Sequence, residues 1–329
     1  MTTRWAGFES PLADGIATFL AHKRALGCRF RGEEMNLRLL DRFLVEHRIV
    51  ALEDISPAVI DAFLASRPRA DPHSFNHLRG TVARCFEWLA ARNLVPGFPV
   101  LAKPRRATRT RLPFLFDATT ARRLIDAAAA LPDNSFAPLR GPTYRVIFAL
   151  LYALGLRVGE VARLRLFDVD LTRQVLVVRE TKFAKNRLVP FGPRIRSLVN
   201  DFLDLRAQHG GSLIETMPVF SFGRGRPISP HTISRVFHEL VPRLALSVPE
   251  GTASPCAHTL RHSFAVGTLL RWYRSGIDPG SRLLQLSTFL GHVNPASTAV
   301  YLTITTELLT EANRRFERWA DPLIQPVTP

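Results

Sequence analysis

Six side chains in the second half of the sequence have types and spacings suited to chemistry. Arg157 follows a glycine break at Gly155 and opens a short helical run. Lys182 falls in a turn, with Lys185 three residues on. His258 and Arg261 are spaced i,i+3 on a helical face, His292 follows Gly291 at a helix end, and Tyr301 comes nine residues after His292. Five are cationic donors set at the ends of elements, and the sixth is a phenol. Guanidinium forks match the oxygens of a phosphate, and lysine and histidine exchange protons. A phenol, with a pKa of about 10, becomes a nucleophile only beside a base or in a strongly positive site. Taken singly, each has an ordinary explanation. Arg157 would pair with Glu160, either histidine would cap a helix, and Tyr301 would be a core aromatic with a solvated hydroxyl. Only the combination carries weight.

Other chemistries lack their residues. There is no GxxxxGK[ST] phosphate loop, no GxGxxG after a strand, no HExxH and no paired CxxC, so ATP use, dinucleotide chemistry and structural zinc are unsupported. His258 and His262 are spaced i,i+4, but no Glu follows His258 and no third ligand is evident, so neither a metal nor another cofactor is expected. Cys28, Cys85 and Cys256 are too scattered for a disulfide framework, which fits a reduced intracellular protein. No apolar run reaches the roughly 18 residues of a membrane span, and the N-terminus lacks a basic region followed by an apolar core. No membrane partner is expected, and the expected location is the cytoplasm. The formal net charge of +16 points instead to a polyanion, with nucleic acid the first candidate. Arginine outnumbers lysine 40 to 4, a bias that explains the choice of base but not the excess of positive charge.

These residues need elements to hold them. Apolar stripes at helical spacing run through Leu12, Ile16, Phe19 and Leu20; Leu39, Leu40, Phe43 and Leu44; Val59, Ile60, Phe63 and Leu64; and Phe75, Leu78, Val82, Phe86 and Leu89. They predict a helical domain over 1–97. Segment 98–113, FPVLAKPRRATRTRLP, reads as an extended basic linker with almost nothing to bury. Its Lys103, Arg105, Arg106, Arg109 and Arg111 suit a strap laid along phosphates. Residues 114–329 form the second domain. Helices are expected over 117–130 and 142–154, with a restart at Arg157. Two short strands around Val175–Val177 and 187–191 are joined by a turn at about 182–186. Further helices are expected over 193–208, 230–246, 259–273, 281–290, 295–303 and 305–319. The fold class is mainly α with a small antiparallel β-sheet.

The segments ALGLRVGEVARLRLFDVD (153–170), TKFAKNRLVP (181–190), HTLRHSFA (258–265) and LGHVNPASTAVYLT (290–303) together resemble the tyrosine recombinase (phage integrase) family, of the Xer or mobile-element integrase kind. The family pattern is an Arg with an acidic residue three later, a hairpin Lys, H-x-x-R, then L-G-H with a Tyr nine residues after the His. All occur here in order. The hairpin departs from the pattern by lacking glycine, which leaves Lys182 and Lys185 both open; the first lysine of the pattern aligns with Lys182.

The resemblance implies a helical core-binding domain followed by an α+β catalytic domain. It also implies a role for each matched residue. Tyr301 attacks a DNA phosphodiester, leaving a 3′-phosphotyrosyl link and a free 5′-hydroxyl. Arg157 and Arg261 grip the non-bridging oxygens and His292 donates to the phosphate. His258 assists removal of the Tyr301 proton, held and tuned by Glu160, and Lys182 protonates the departing 5′-oxygen. Neither metal nor ATP is required. Double-stranded DNA and a synaptic tetramer are the implied partners, with a bacterial, nucleoid-associated location. Leu308, Leu309, Ala312, Phe316 and Trp319, beside Arg314, Arg315 and Arg318, form a C-terminal helix suited to docking on a neighbouring protomer or back on its own domain. The rival functions are a type IB topoisomerase and a DNA-binding regulator with a decayed recombinase domain; decay would remove a reactive group, and none is missing.

Overall fold

The structure is a computed structural model that describes residues 7–28, 30–106, 111–179, 186–212, 214–222, 225–292, 294–303, 308–314 and 316–317. Lys182, Lys185, Arg109, Arg315, Arg318 and Trp319 lie outside the described residues. The chain divides into two compact units, Met1–Thr110 and Arg111–Pro329.

The first unit contains α1 (Ala13–Ala25), α2 (Arg31–Glu46), α3 (Pro57–Ser66) and α4 (Pro72–Ala90). Two starts follow directly from sequence. Ser56 and Asp71 accept the backbone N–H groups of Val59 and Ser74, each just before a proline that needs no partner for its nitrogen. The expected stripes meet in one core, with Ile16, Phe19, Leu37, Leu40, Ile60, Phe63, Leu78, Val82 and Leu89 fully buried.

The linker is tied down more than its composition suggests. Val100 is buried in the core of the first unit. Asn76 of α4 accepts the Arg105 backbone N–H at 2.8 Å and donates to the Arg105 carbonyl at 2.8 Å. The Arg105 guanidinium lies 3.9 Å from the Phe75 ring centre and donates to the Arg69 carbonyl at 2.7 Å. Arg105 is therefore committed to its own unit although it is as exposed as Lys103 and Arg106. At the other end Leu112 exchanges backbone hydrogen bonds with Gly251 and Ala253, and Phe114 and Phe116 enter the core of the second unit.

The second unit contains α5 (Ala118–Ala129), α6 (Arg140–Ala153), α7 (Val158–Arg163), β1 (Val169–Asp170), β2 (Val175–Val178), β3 (Arg187–Pro190), α8 (Pro193–Gln208), α9 (Pro230–Leu240), α10 (Thr259–Arg274), α11 (Pro279–Leu290) and α12 (Ala296–Ala299). The sheet is antiparallel in the order β1-β2-β3, with Leu176 opposite Val189 and Val178 opposite Arg187. Leu176, Val178 and Val189 bury the inner face, and Arg187 shares a face of β3 with Val189. Core helix α6 is sheathed in aromatic contacts, Phe148 meeting Phe237 edge-on at 5.9 Å.

Several boundaries differ from expectation, three of them for clear local reasons. Helix α9 ends at Leu240 in a 3₁₀ turn, Val241–Leu244, that contains Pro242. Helix α11 starts two residues early because Asp278 accepts the N–H groups of Gly280 and Ser281. The expected helix 295–303 is α12 followed by a 3₁₀ turn, Val300–Thr303. No helix among the described residues is long and apolar enough to cross a membrane.

Candidate active site

Two glycines shape the site. Gly155 ends α6 at φ +58°, and a Cβ there would lie 2.5 Å from the Phe264 ring, so both conformation and space require glycine. The turn it makes sets Arg157 immediately before α7, where its backbone N–H meets the Glu160 carboxylate at 2.9 Å. Gly291 ends α11 at φ +70°, the left-handed cap that leaves the last helical carbonyls without helical partners.

Those carbonyls hold three arginines. Phe289 O accepts from Arg187 Nε at 2.8 Å, Leu290 O from Arg261 Nη2 at 2.7 Å, and Gly291 O from Arg157 Nη2 at 3.1 Å. Three consecutive residues at the partially negative end of α11 thus each take one guanidinium, from β3, from α10 and from the start of α7. Arg261 also donates to Gly155 O at 2.7 Å and is 1% exposed.

Glu160 fastens the other side. Its Oε1 accepts from Arg157 Nη1 at 2.7 Å and Arg187 Nη1 at 2.9 Å, and its Oε2 from Arg187 Nη2 at 2.9 Å. Burial alone would raise its pKa. The hydrogen bonds and charge of Arg187, followed by those of Arg157, outweigh that and hold it at about 2. Arg261 has no carboxylate partner among the described residues, and burial with repulsion from Arg157 lowers its pKa to about 9, still protonated at neutral pH.

The three histidines are also pushed down, which for them favours the neutral form. His292 is lowered to about 4 by burial and by Arg261 and Arg157, and its Nδ1 is fixed by the buried Thr298 hydroxyl at 2.7 Å. His262 is lowered to about 4 by burial, His258 and Arg261. Burial and the charges of Arg261 and Arg157 also depress His258. Tyr301 is 4% exposed, and burial raises its pKa against the opposing pull of Arg261 and Arg157.

The structure brings Arg157, Glu160, His258, Arg261, His292 and Tyr301 together. The Tyr301 hydroxyl is hydrogen-bonded to His262 Nδ1 at 2.7 Å. His258 immediately precedes α10, and its ring stands edge-on to His262, 4.7 Å between centroids. Sequence reasoning missed Arg187, although it lies within the hairpin segment TKFAKNRLVP, and it weighed His262 only as half of a metal pair. Among the described residues no cluster of three or more His, Cys, Asp or Glu is placed to hold a metal. Tyr144 is a core residue; Tyr152 and Tyr273 are partly buried and pack against the core.

Residues 116–307 match the family model described as the phage integrase family. The protein y4rB of Sinorhizobium fredii, whose name assigns it provisionally to the integrases and recombinases, is 34% identical over 317 residues, 95% of this chain and 99% of that one. The chain belongs to the phage integrase family. Tyrosine recombinase XerC 2 of Ralstonia nicotianae is 27% identical over 315 residues, covering 92% of this chain and 82% of its own. Two solved structures share the family fold. The Tn1549 transposon integrase, in complex with a circular intermediate DNA, aligns with a TM-score of 0.65 at 16% identity over 95% of this chain and all of its own. A lambda integrase dimer bound to a COC′ core site gives 0.60 at 20% identity, over 88% of this chain and 76% of its own.

Proposed function

We propose that this phage integrase family member is a site-specific DNA recombinase that cuts and rejoins strands through a 3′-phosphotyrosyl intermediate, with neither metal nor ATP. The observation that carries the reading is a buried excess of positive charge beside a phenol. Among the described residues Arg157 and Arg187 share a single carboxylate, Glu160, and Arg261 is paired with none, which leaves two positive charges unmatched there. Buried charge without a partner is costly, so the cluster suits an anion that arrives with the substrate. A phosphodiester brings one negative charge, and its pentacoordinate transition state brings a second at the same oxygens.

Tyr301 Oη forms the new bond to phosphorus as the bond to the 5′-oxygen breaks. Arg157 and Arg261 face the non-bridging oxygens, while the α11 carbonyls fix their position without neutralising them. His292, its Nδ1 taken by Thr298, has Nε2 for the phosphate. Lys182 gives the proton that the 5′-oxygen needs. The tyrosyl ester keeps the bond energy, so attack by another 5′-hydroxyl reseals DNA and releases Tyr301.

Double-stranded DNA is the partner and a tetramer the synaptic assembly, in a cytoplasmic, nucleoid-associated setting. The first unit and the basic linker clamp the half-site. Leu308, at the start of the helical segment 308–314, is buried with Tyr301 in its own unit, whereas Leu309 and Phe316 are exposed. The latter two are the side chains suited to a neighbouring protomer.

The test is covalent capture. Duplexes that bind the Tyr301→Phe variant are selected from a random library, nicked, and incubated with the wild-type protein in EDTA. A DNA-linked peptide containing Tyr301 is expected, and none from the variant. An adduct on another residue, or one that requires a divalent metal, overturns the reading. A topoisomerase would instead relax supercoiled circles with no need for paired sites.

A further inference from the structure

The hydroxyl that the reaction must deprotonate touches one titratable side chain among the described residues, and it is not the histidine of the H-x-x-R pattern. His262 Nδ1 lies 2.7 Å from Tyr301 Oη, with the rings tilted at 55° and 5.5 Å between centroids. His258 lies one helical turn back, with its ring edge-on to His262, and among the described residues no hydrogen bond joins it to the Tyr301 hydroxyl. Both partners of the hydrogen bond are held. His262 projects from the first turn of α10, one residue after Arg261, which is anchored on two backbone carbonyls. Tyr301 packs in a core with Ala265, Val266, Leu269, Leu290 and Leu308.

We propose that His262 is a catalytic residue, the group that orients the Tyr301 hydroxyl and takes its proton during attack. The inference rests on Tyr301 being the nucleophile. In the resting protein His262 is neutral at neutral pH, because burial, His258 and Arg261 all disfavour its charged form. Neutral imidazole offers Nδ1 a lone pair when Nε2 carries the hydrogen. The phenol is a far weaker acid, raised further by burial, so the proton does not move in advance. It moves as the Oη–P bond forms and the oxygen loses basicity. Oη donates its proton to Nδ1, gains the bond to phosphorus, and the electron pair of the breaking P–O bond leaves on the 5′-oxygen. The incoming phosphate also offsets the arginine charges that depress His262. The charged and titratable groups around the pair are His258, Arg261, Arg157 and His292.

The experiment uses full-length protein and the nicked duplex selected with the Tyr301→Phe variant, reading single-turnover covalent capture from acid to alkaline pH. His262→Ala and His262→Gln are expected to bind DNA as the wild type does and to cleave about 10²-fold more slowly at neutral pH. Their deficit should shrink as rising pH forms the phenolate without help, while the wild-type rate stays flat through neutrality. His258→Ala should cost less. With sulfur in place of the bridging 5′-oxygen the leaving group needs no proton, and the His262 deficit should persist. Wild-type cleavage by His262→Ala, a deficit independent of pH, a larger loss in His258→Ala, or rescue by the sulfur substrate each overturns the assignment. A covalent adduct formed by Tyr301→Phe would instead defeat the nucleophile reading, so the two failures are distinguishable.

Discussion

Arginine does two different jobs in the two units. In the first unit several guanidiniums lie against rings, carboxylates and scattered backbone carbonyls near solvent. Arg92 sits 4.0 Å from the Trp88 ring centre, Arg105 3.9 Å from Phe75, and Arg38 4.8 Å from Phe8 while bonded to Glu34 at 2.8 Å. Each such contact is worth little because water competes for it. In the second unit Arg157, Arg187 and Arg261 converge on three successive carbonyls at the end of α11 and its cap. A carbonyl fixes a guanidinium as firmly as a carboxylate does but cancels far less of its charge. The first arrangement stabilises a helical bundle and leaves a diffuse positive field. The second keeps charge aimed at one place.

Removing Arg261 should break the contrast most severely. Arg261→Ala is expected to lower covalent cleavage by about 10³-fold, the scale of losing a preorganised donor to a developing anion. Arg261→Lys should recover little, since an ammonium lacks the planar fork that spans Gly155 O and Leu290 O. Single-turnover capture at saturating DNA separates this from weakened binding. Recovery to near wild-type rates in the lysine variant would show that charge alone suffices.

Glu160→Gln tests the one carboxylate that pairs with these arginines among the described residues. Taking one partner from a buried ion pair should cost about 3–5 kcal/mol in a urea melt at neutral pH. The sign with pH follows from the direction of the shift. Glu160 is depressed from 4.5 to about 2, so its stabilising contribution is complete above 4.5 and is lost as pH falls towards 2. The stability gap between wild type and variant should close across that window. A gap of constant size would mean that shape, not charge, is what glutamine fails to supply.

Arg187→Met should have a smaller effect on catalysis than Arg261→Ala. Glu160 keeps Arg157, and Phe289 O alone is left without its guanidinium partner. About tenfold slower cleavage with unchanged DNA affinity is expected, as for a residue that positions another without touching substrate. A loss equal to that of Arg261→Ala would place Arg187 against the phosphate itself.

Much of this was legible from sequence, and the gaps have physical causes. The helices of the first unit announce themselves because one face of each is apolar at helical spacing. Two-residue β1 is too short to show any period. Burial of Val100 and the pairing of Arg105 with Phe75 depend on partners far away in sequence, so a Pro- and Arg-rich stretch looked free. At the site the reactive side chains are distinctive in type and spacing, whereas the carbonyls of Phe289, Leu290 and Gly291 carry no residue identity. His258 and His262 are one turn apart on one face, and spacing alone does not decide which meets Tyr301.

The smallest expected effect lies in the linker, where neighbouring basic residues should divide by role. If Lys103 and Arg106 meet phosphates, each alanine variant releases one counterion fewer on binding, and the slope of log affinity against log salt should fall by about 0.9. Neither side chain has a hydrogen bond among the described residues, so the melting temperature should hold. Arg105→Ala should do the reverse. Its guanidinium is occupied by Phe75 and the Arg69 carbonyl, so the salt slope should stay while stability drops by about 0.5–1 kcal/mol. A lowered slope in Arg105→Ala would mean that DNA competes successfully with an aromatic face for this guanidinium, and that the surface arginines of the first unit can be redeployed as those around α11 cannot.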